Sequence, residues 1–110
     1  MMYTSGNVFY NRQLAGVIAA TANGYTFTYD AVYLRHPQAL PVSLTLPLTE
    51  GAYFSQQLFP FFDGLIPEGW LLDMAAKRWG LKTYDRFALL LHTCQDAIGA
   101  VSIIPHPPIS

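Results

Sequence analysis

The chain has 110 residues, 52% hydrophobic and 12% charged, with a net charge of −1 and a mean hydropathy of +0.24. That length suits a single domain with one core, read here as residues 1–110 with 105–110 as a flexible tail. So little charge leaves apolar surface over for a protein partner. The six Lys and Arg are dispersed, so there is no basic stripe to displace counterions and no direct nucleic-acid contact is expected. No window approaches the ~20 apolar residues of a membrane span, and the first residues lack the basic-then-apolar order of a signal peptide. The single Cys94 excludes an internal disulfide and fits a reducing compartment, so the expected location is cytoplasmic.

The first half of the chain is strand-like. Val8-Phe-Tyr10 and Leu14-Ala-Gly-Val-Ile-Ala-Ala20 are separated by Asn11-Arg-Gln13, a plausible hairpin turn. A second turn follows at Thr21-Ala-Asn-Gly24, where Asn-Gly is a strong turn signal. Tyr25-Thr-Phe-Thr-Tyr29 then alternates aromatic and hydroxyl side chains with period two, as a half-buried strand should. Ala31 to Leu34 reads as a turn of helix or an edge segment. Pro41 and Pro47 bracket Val-Ser-Leu-Thr-Leu, a further alternating run that the prolines confine to an edge or strand end.

The second half turns helical. A helix is expected to start at Ser55 and run into Phe61-Phe62, with Pro60 in its first turns. Pro67 opens the next helix, where its missing N–H costs nothing. Lys77-Arg78 suit the C-terminal turn of that helix, and Gly80 supplies its stop. Thr83 or Asp85 caps a third helix carrying Phe87, Leu90, Leu91 and Cys94 on one stripe. Gly99 to Ile104 closes the chain as a strand, and Pro105 to Pro108 reads as an unpaired tail.

Strands first and helices after, at hairpin spacing, predict an α+β fold: a small antiparallel, partly barrel-like sheet with two to three helices packed on one side. The predicted core comprises Val17, Phe27, Tyr29, Leu44, Leu46, Phe61, Phe62, Leu65, Leu71, Ala75, Trp79, Phe87, Leu90 and Val101.

The inventory for catalysis is thin. His36, His92 and His106 share no ligand spacing with each other or with Cys94, and the glycines form no phosphate loop. Asp63 before Gly64 reads as a turn residue bonding its own backbone. Glu68, just after Pro67, suits the positive end of a helix. No catalytic residue, metal site or cofactor is therefore expected. Trp70 stands out instead. At ~100° per residue, Leu71, Leu72, Ala75, Ala76 and Trp79 share one helix face, while Trp70 falls opposite with Asp73 and Lys77. Either Trp70 folds back onto the Pro67 turn, or the Pro67-Glu68-Gly69 turn presents it as a binding anchor, since exposed Trp is enriched at interface hot spots. The expected partner-binding set is Trp70, Glu68, Gly69, Asp73 and Lys77.

Phe59-Pro-Phe-Phe-Asp-Gly-Leu-Ile-Pro-Glu-Gly-Trp70, with Pro41-Val-Ser-Leu-Thr-Leu-Pro-Leu48 before it and Asp96-Ala-Ile-Gly-Ala-Val101 after it, resembles the N-terminal subdomain of the HipA kinase family. Gln13-x-x-Gly16, Ala22-Asn-Gly24 with Phe27-x-Tyr29, and Asp85-x-Phe87 with Leu89-Leu90 extend the resemblance over nearly the whole chain. One departure is Cys94, where many members place Gly. A left-handed helix stop would be strained at Cys, so this junction is expected to be built differently.

The resemblance implies a function that composition does not. In full-length HipA-type toxins this subdomain packs against a kinase body that phosphorylates serine or threonine, with aminoacyl-tRNA synthetases as known targets. The sequence ends at Ser110, where that body would begin. Some operons split the architecture into a DNA-binding HipB-like protein, a small HipS-like protein resembling this subdomain, and a shortened HipT-like kinase. The chain looks like the HipS component. The resemblance thus implies a non-enzymatic antitoxin that neutralises a HipT-like kinase and meets DNA only through the HipB-like protein. The alternative is a non-inhibitory structural adaptor or a detached N-terminal subdomain of a HipA-type kinase.

On this reading Trp70→Ala weakens the kinase complex by about 2 kcal/mol or more and leaves folding stability nearly unchanged. Trp79→Ala costs about 3–5 kcal/mol of stability. Affinity and thermal midpoint measured on both variants separate the two roles; a large loss of stability at Trp70 with unchanged affinity assigns it to the core.

Overall fold

The alternation of Tyr25, Phe27 and Tyr29 sets the architecture. In the computed structural model, which describes residues 4–66, 77–78, 80, 85–94 and 100–106, these residues lie in β3 (Gly24–Tyr29). It stands within a five-stranded antiparallel sheet that also contains β1 (Ser5–Tyr10), β2 (Gln13–Thr21), β4 (Ala52–Ser55) and β5 (Val101–Pro105). The spatial order is β4-β3-β2-β1-β5, so the sheet is open, with β4 and β5 as its edges. Among the described residues, helices with both ends defined are α1 (Ala31–Arg35), α2 (Pro60–Asp63) and α3 (Arg86–Thr93). The expected α+β class with an antiparallel sheet is the observed one.

Local chemistry explains the turns. Asn11 and Arg12 both adopt positive φ, 49° and 67°, the conformation required by the two-residue hairpin turn that matches strand twist. In the β2–β3 turn the Thr21 hydroxyl accepts from the Asn23 and Gly24 amides at 3.3 and 3.1 Å. The Asp30 carboxylate caps α1 by accepting from Val32 and Tyr33 amides, both at 3.1 Å, and Asp85 caps α3 by accepting from Ala88 at 3.1 Å. Such caps satisfy amides that the first turn of a helix leaves without partners. Pro60 stands at the start of α2, where it forfeits no hydrogen bond. Lys77 and Arg78 are helical, and Gly80 follows with φ +66°, the helix stop expected there.

One face of β3 receives α1, α2 and α3. The Tyr25 ring lies 5.5 Å from Phe87 of α3, Phe27 lies 5.4 Å from Phe62 of α2, and Tyr29 stacks on Tyr33 of α1 at 6.2 Å. Ile18 pairs with Phe27 across β2, and Val8 pairs with Ile103 across β1 and β5. All four side chains are fully buried. No buried residue among those described is polar or charged. Among the described residues no helix is long and apolar enough to cross a membrane.

Several expectations are corrected. Val17 is 38% exposed rather than core; it pairs with Asn7 and Thr28 on the outer face, and Ile18 takes the inward position. The run Leu14 to Ala20 lacks polar residues that would set its phase. Pro41 to Pro47 forms turns, not a strand, and Leu44 is 94% exposed. Ser55 ends strand β4 instead of opening a helix; β4 was not anticipated, because four residues are too few to show a period. Pro105 does not begin an unpaired tail: it is the last residue of β5, fully buried and opposite Gly6. Trp79, Leu71 and Ala75 lie outside the described residues. Phe27, Tyr29, Leu46, Phe62, Phe87, Leu90 and Val101 are buried as expected, and Phe61 and Leu65 pack half-buried against them.

Gly16 tests the sheet packing. A Cβ on this buried residue would lie 2.4 Å from the Thr28 carbonyl oxygen and 3.0 Å from the Phe27 ring, and a backbone oxygen cannot swing aside. Gly16→Ala is expected to destabilise the fold by about 1–3 kcal/mol, read as a lower denaturant midpoint.

Candidate interaction surface

Between Arg35 and Glu50 the chain carries no Asp, Glu, Lys or Arg, yet this segment is tied down at three places. The Tyr29 hydroxyl accepts from the Val42 amide at 3.0 Å and donates to the Leu46 carbonyl. The Tyr33 hydroxyl donates to the Leu40 carbonyl at 2.6 Å, and the Tyr53 hydroxyl donates to the Pro47 carbonyl at 2.7 Å. Burial pushes the Tyr29 phenol above its ordinary pKa, outweighing the opposing pull of the Val42 amide, so this donor stays protonated. The side chains of Val42 and Leu46 are buried in the core. Between them the Leu46 amide donates to the Ser43 carbonyl at 3.0 Å, and the Ser43 and Thr45 hydroxyls pair at 2.9 Å. Leu44 sits on this turn and points into solvent, with Leu40 and Leu48 exposed at 53% and 36%.

At the opposite end of β3 an open cleft of about 490 Å³ is lined by Tyr25, Gln56, Leu58, Pro60, Asp63 and Arg86. Arg86 Nε meets Asp63 Oδ1 at 2.8 Å, both side chains part-exposed, a geometry worth up to about 1 kcal/mol. Asp63 is therefore the last residue of α2 and an ion-pair partner, not the self-bonded turn residue expected from Asp-Gly. A neighbouring cleft of about 320 Å³ shares Tyr25 and Gln56 and adds Asn23, and a third of about 270 Å³ lies between Arg35 and Glu50.

Titratable groups near α3 are held back by burial. The Cys94 thiol is buried and donates to the Leu65 carbonyl at 3.4 Å; burial pushes its pKa up, which disfavours the reactive thiolate. Burial lowers the His92 pKa against the raising influence of Asp85. Cys94 ends α3 with φ −107° and accepts a 2.8 Å hydrogen bond from Ile103 through its carbonyl. The junction is thus not a left-handed stop, as its Cys predicted. Among the described residues no group of three or more His, Cys, Asp and Glu could hold a metal ion.

Of the expected partner-binding residues, Trp70, Glu68, Gly69 and Asp73 lie outside the described residues. Lys77 is helical and exposed, and its carbonyl accepts from the Gly80 amide at 3.3 Å. Sequence reasoning missed the leucine turn by placing Leu44 in the core. The signal that could have found it is the charge-free stretch from His36 to Thr49, bracketed at its centre by two prolines.

The family model of the HipA N-terminal domain matches residues 6–104. The chain belongs to the HipA N-terminal domain family. Its fold is similar to that of a structure of the N-terminal domain of HipA toxin, with TM-score 0.67 and 28% identity, covering 94% of this chain and 93% of that one. It is 34% identical over 99 residues to an uncharacterised protein of Haemophilus influenzae, covering 90% of each. It is also 29% identical over 100 residues to the putative kinase Y4mE of Sinorhizobium fredii, covering 90% of this chain but only 24% of that protein. The chain thus spans about a quarter of Y4mE and nearly all of the Haemophilus protein. The HipA-like motif from Ser43 to Leu48 is the turn that the tyrosines fasten.

Tyr29→Phe removes both hydroxyl bonds and leaves the buried Val42 amide and Leu46 carbonyl without those partners. Expected is a loss of about 1–3 kcal/mol in stability. Hydrogen exchange at the Val42 amide should accelerate more than at β3 amides.

Proposed function

We infer that this HipA N-terminal-domain protein is an antitoxin, HipS-like in role, which binds and neutralises a HipT-like serine/threonine kinase toxin. The complex includes a HipB-like DNA-binding protein, and the chain itself touches no nucleic acid or membrane and works in the cytoplasm. One observation carries the reading: the same domain forms about a quarter of a putative kinase and nearly all of a Haemophilus relative. A module present both fused to a kinase-type chain and by itself is suited to meet such a chain in trans. The low charge of this chain, 12%, agrees with a surface covered by a protein partner. Trp70, with Glu68, Gly69, Asp73 and Lys77, is proposed as part of the contact. Inhibition by binding requires no catalytic group of its own.

Co-expression tests the proposal. A HipT-like kinase of the same organism should arrest growth when induced alone, and the chain should restore growth while co-purifying with that kinase. Stable co-purification without relief of arrest assigns the chain to a non-inhibitory adaptor. Absence of both binding and relief refutes the kinase-partner reading.

A further inference from the structure

We propose that the Leu44 turn, flanked by Leu40 and Leu48, docks into an apolar cleft on the kinase-type chain; the proposal rests on the partnership inferred above. A single exposed leucine needs no explanation. Here, however, three exposed leucines stand in nine residues of a segment without one charged side chain. Leu44, at 94% exposure, adds almost nothing to the stability of its own domain. The neighbouring Ser43 and Thr45 hydroxyls pair at 2.9 Å, so one hydroxyl donor is already taken up within the turn.

The turn is also rigid. Two buried side chains, Val42 and Leu46, root it in the core, and the hydroxyls of Tyr29, Tyr33 and Tyr53 hold its backbone. Pro41 and Pro47 restrict its two ends. Fixing the backbone in advance removes ordering entropy from the binding step, so that most of the apolar contact free energy appears as affinity.

The chemistry of the occupant follows from what this chain lacks. A projecting turn needs a concave apolar socket. Three clefts among the described residues are rimmed by Gln56 with Asp63 and Arg86, by Asn23 with Gln56, and by Arg35 with Glu50. A leucine placed there would desolvate amides and charges without bonding them. In a second copy these three clefts offer no fitting socket. In Y4mE the matched domain accounts for 24% of the protein, and the remaining chain is where a complementary socket would lie in the fused case. The socket is thus placed on the kinase-type partner, facing the charge-free segment between Arg35 and Glu50.

The test uses the full chain and a HipT-like kinase of the same organism, with affinity measured by titration. Leu44→Asp should weaken binding about tenfold or more at an unchanged thermal midpoint, and Leu44→Met should retain it. Wild-type binding that Leu44→Asp leaves intact overturns the docking turn and leaves the antitoxin reading standing. Loss of binding in Phe54→Asp but not Leu44→Asp moves the contact to the outer sheet face, where Phe54 is 56% exposed, and also overturns it. Self-association abolished by Leu44→Asp with unchanged kinase affinity makes a second copy the occupant instead. A wild-type chain that does not bind the kinase removes both this inference and its premise.

Discussion

Everything in the fold depends on the aromatic face of β3. Tyr25, Phe27 and Tyr29 follow one another at two-residue spacing, and each ring meets a ring of a different helix, at 5.5, 5.4 and 6.2 Å. Aromatic side chains bury large areas and favour offset or tilted contacts, so one six-residue strand can gather three short helices. None of those helices would be stable alone: α1 has five residues and α2 four, well below the length at which isolated helices persist in water. Their persistence is tertiary. The covering of one sheet face by α1, α2 and α3 follows from that single row of rings.

The same row produces the exposed turn. Within a core that buries no charged residue among those described, the Tyr29 hydroxyl must find partners, because an unbonded buried hydroxyl is costly. It finds them in the Val42 amide and the Leu46 carbonyl. The segment between these two points is too short to return to the core, and Leu44 is forced outward. A requirement for internal hydrogen bonding thereby fixes an apolar group on the surface, in a domain whose fused relative is a putative kinase. Structural and interaction roles are joined at one tyrosine.

Errors of the sequence reading fall where periodicity loses its meaning. Val42, Leu44 and Leu46 alternate with Ser43 and Thr45, which reads as a strand with three inward residues. The turn instead buries the first and third and exposes the second, a four-residue spacing that alternation cannot separate from a two-residue one. Val17 and Ile18 stand adjacent in an unbroken apolar run, and only their registers with Asn7, Gly6, Thr28 and Phe27 decide which faces inward. Pro105 reads as a terminator because it has no amide to donate, but a strand end beside Gly6 needs none there, and the His106 amide bonds Ser5 at 3.0 Å. Asp63 reads as local because Asp-Gly so often is; its partner Arg86 lies 23 residues away.

The sequence by itself determined the class of fold, the two hairpins, the helix stop at Gly80, the aromatic strand and the family, and it narrowed the cap of the last helix to Thr83 or Asp85. Each of these rests on neighbours within a few residues: side-chain alternation, turn chemistry, capping groups and the order of short motifs. Tertiary structure alone decided the edge strand β4, the phase of β2, the ion pair of Asp63 with Arg86 and the outward turn at Leu44. Those features depend on groups brought together from distant parts of the chain, above all on which backbone atoms a buried tyrosine hydroxyl can reach. Local pattern carries no information about that distance, and packing around β3 supplies it.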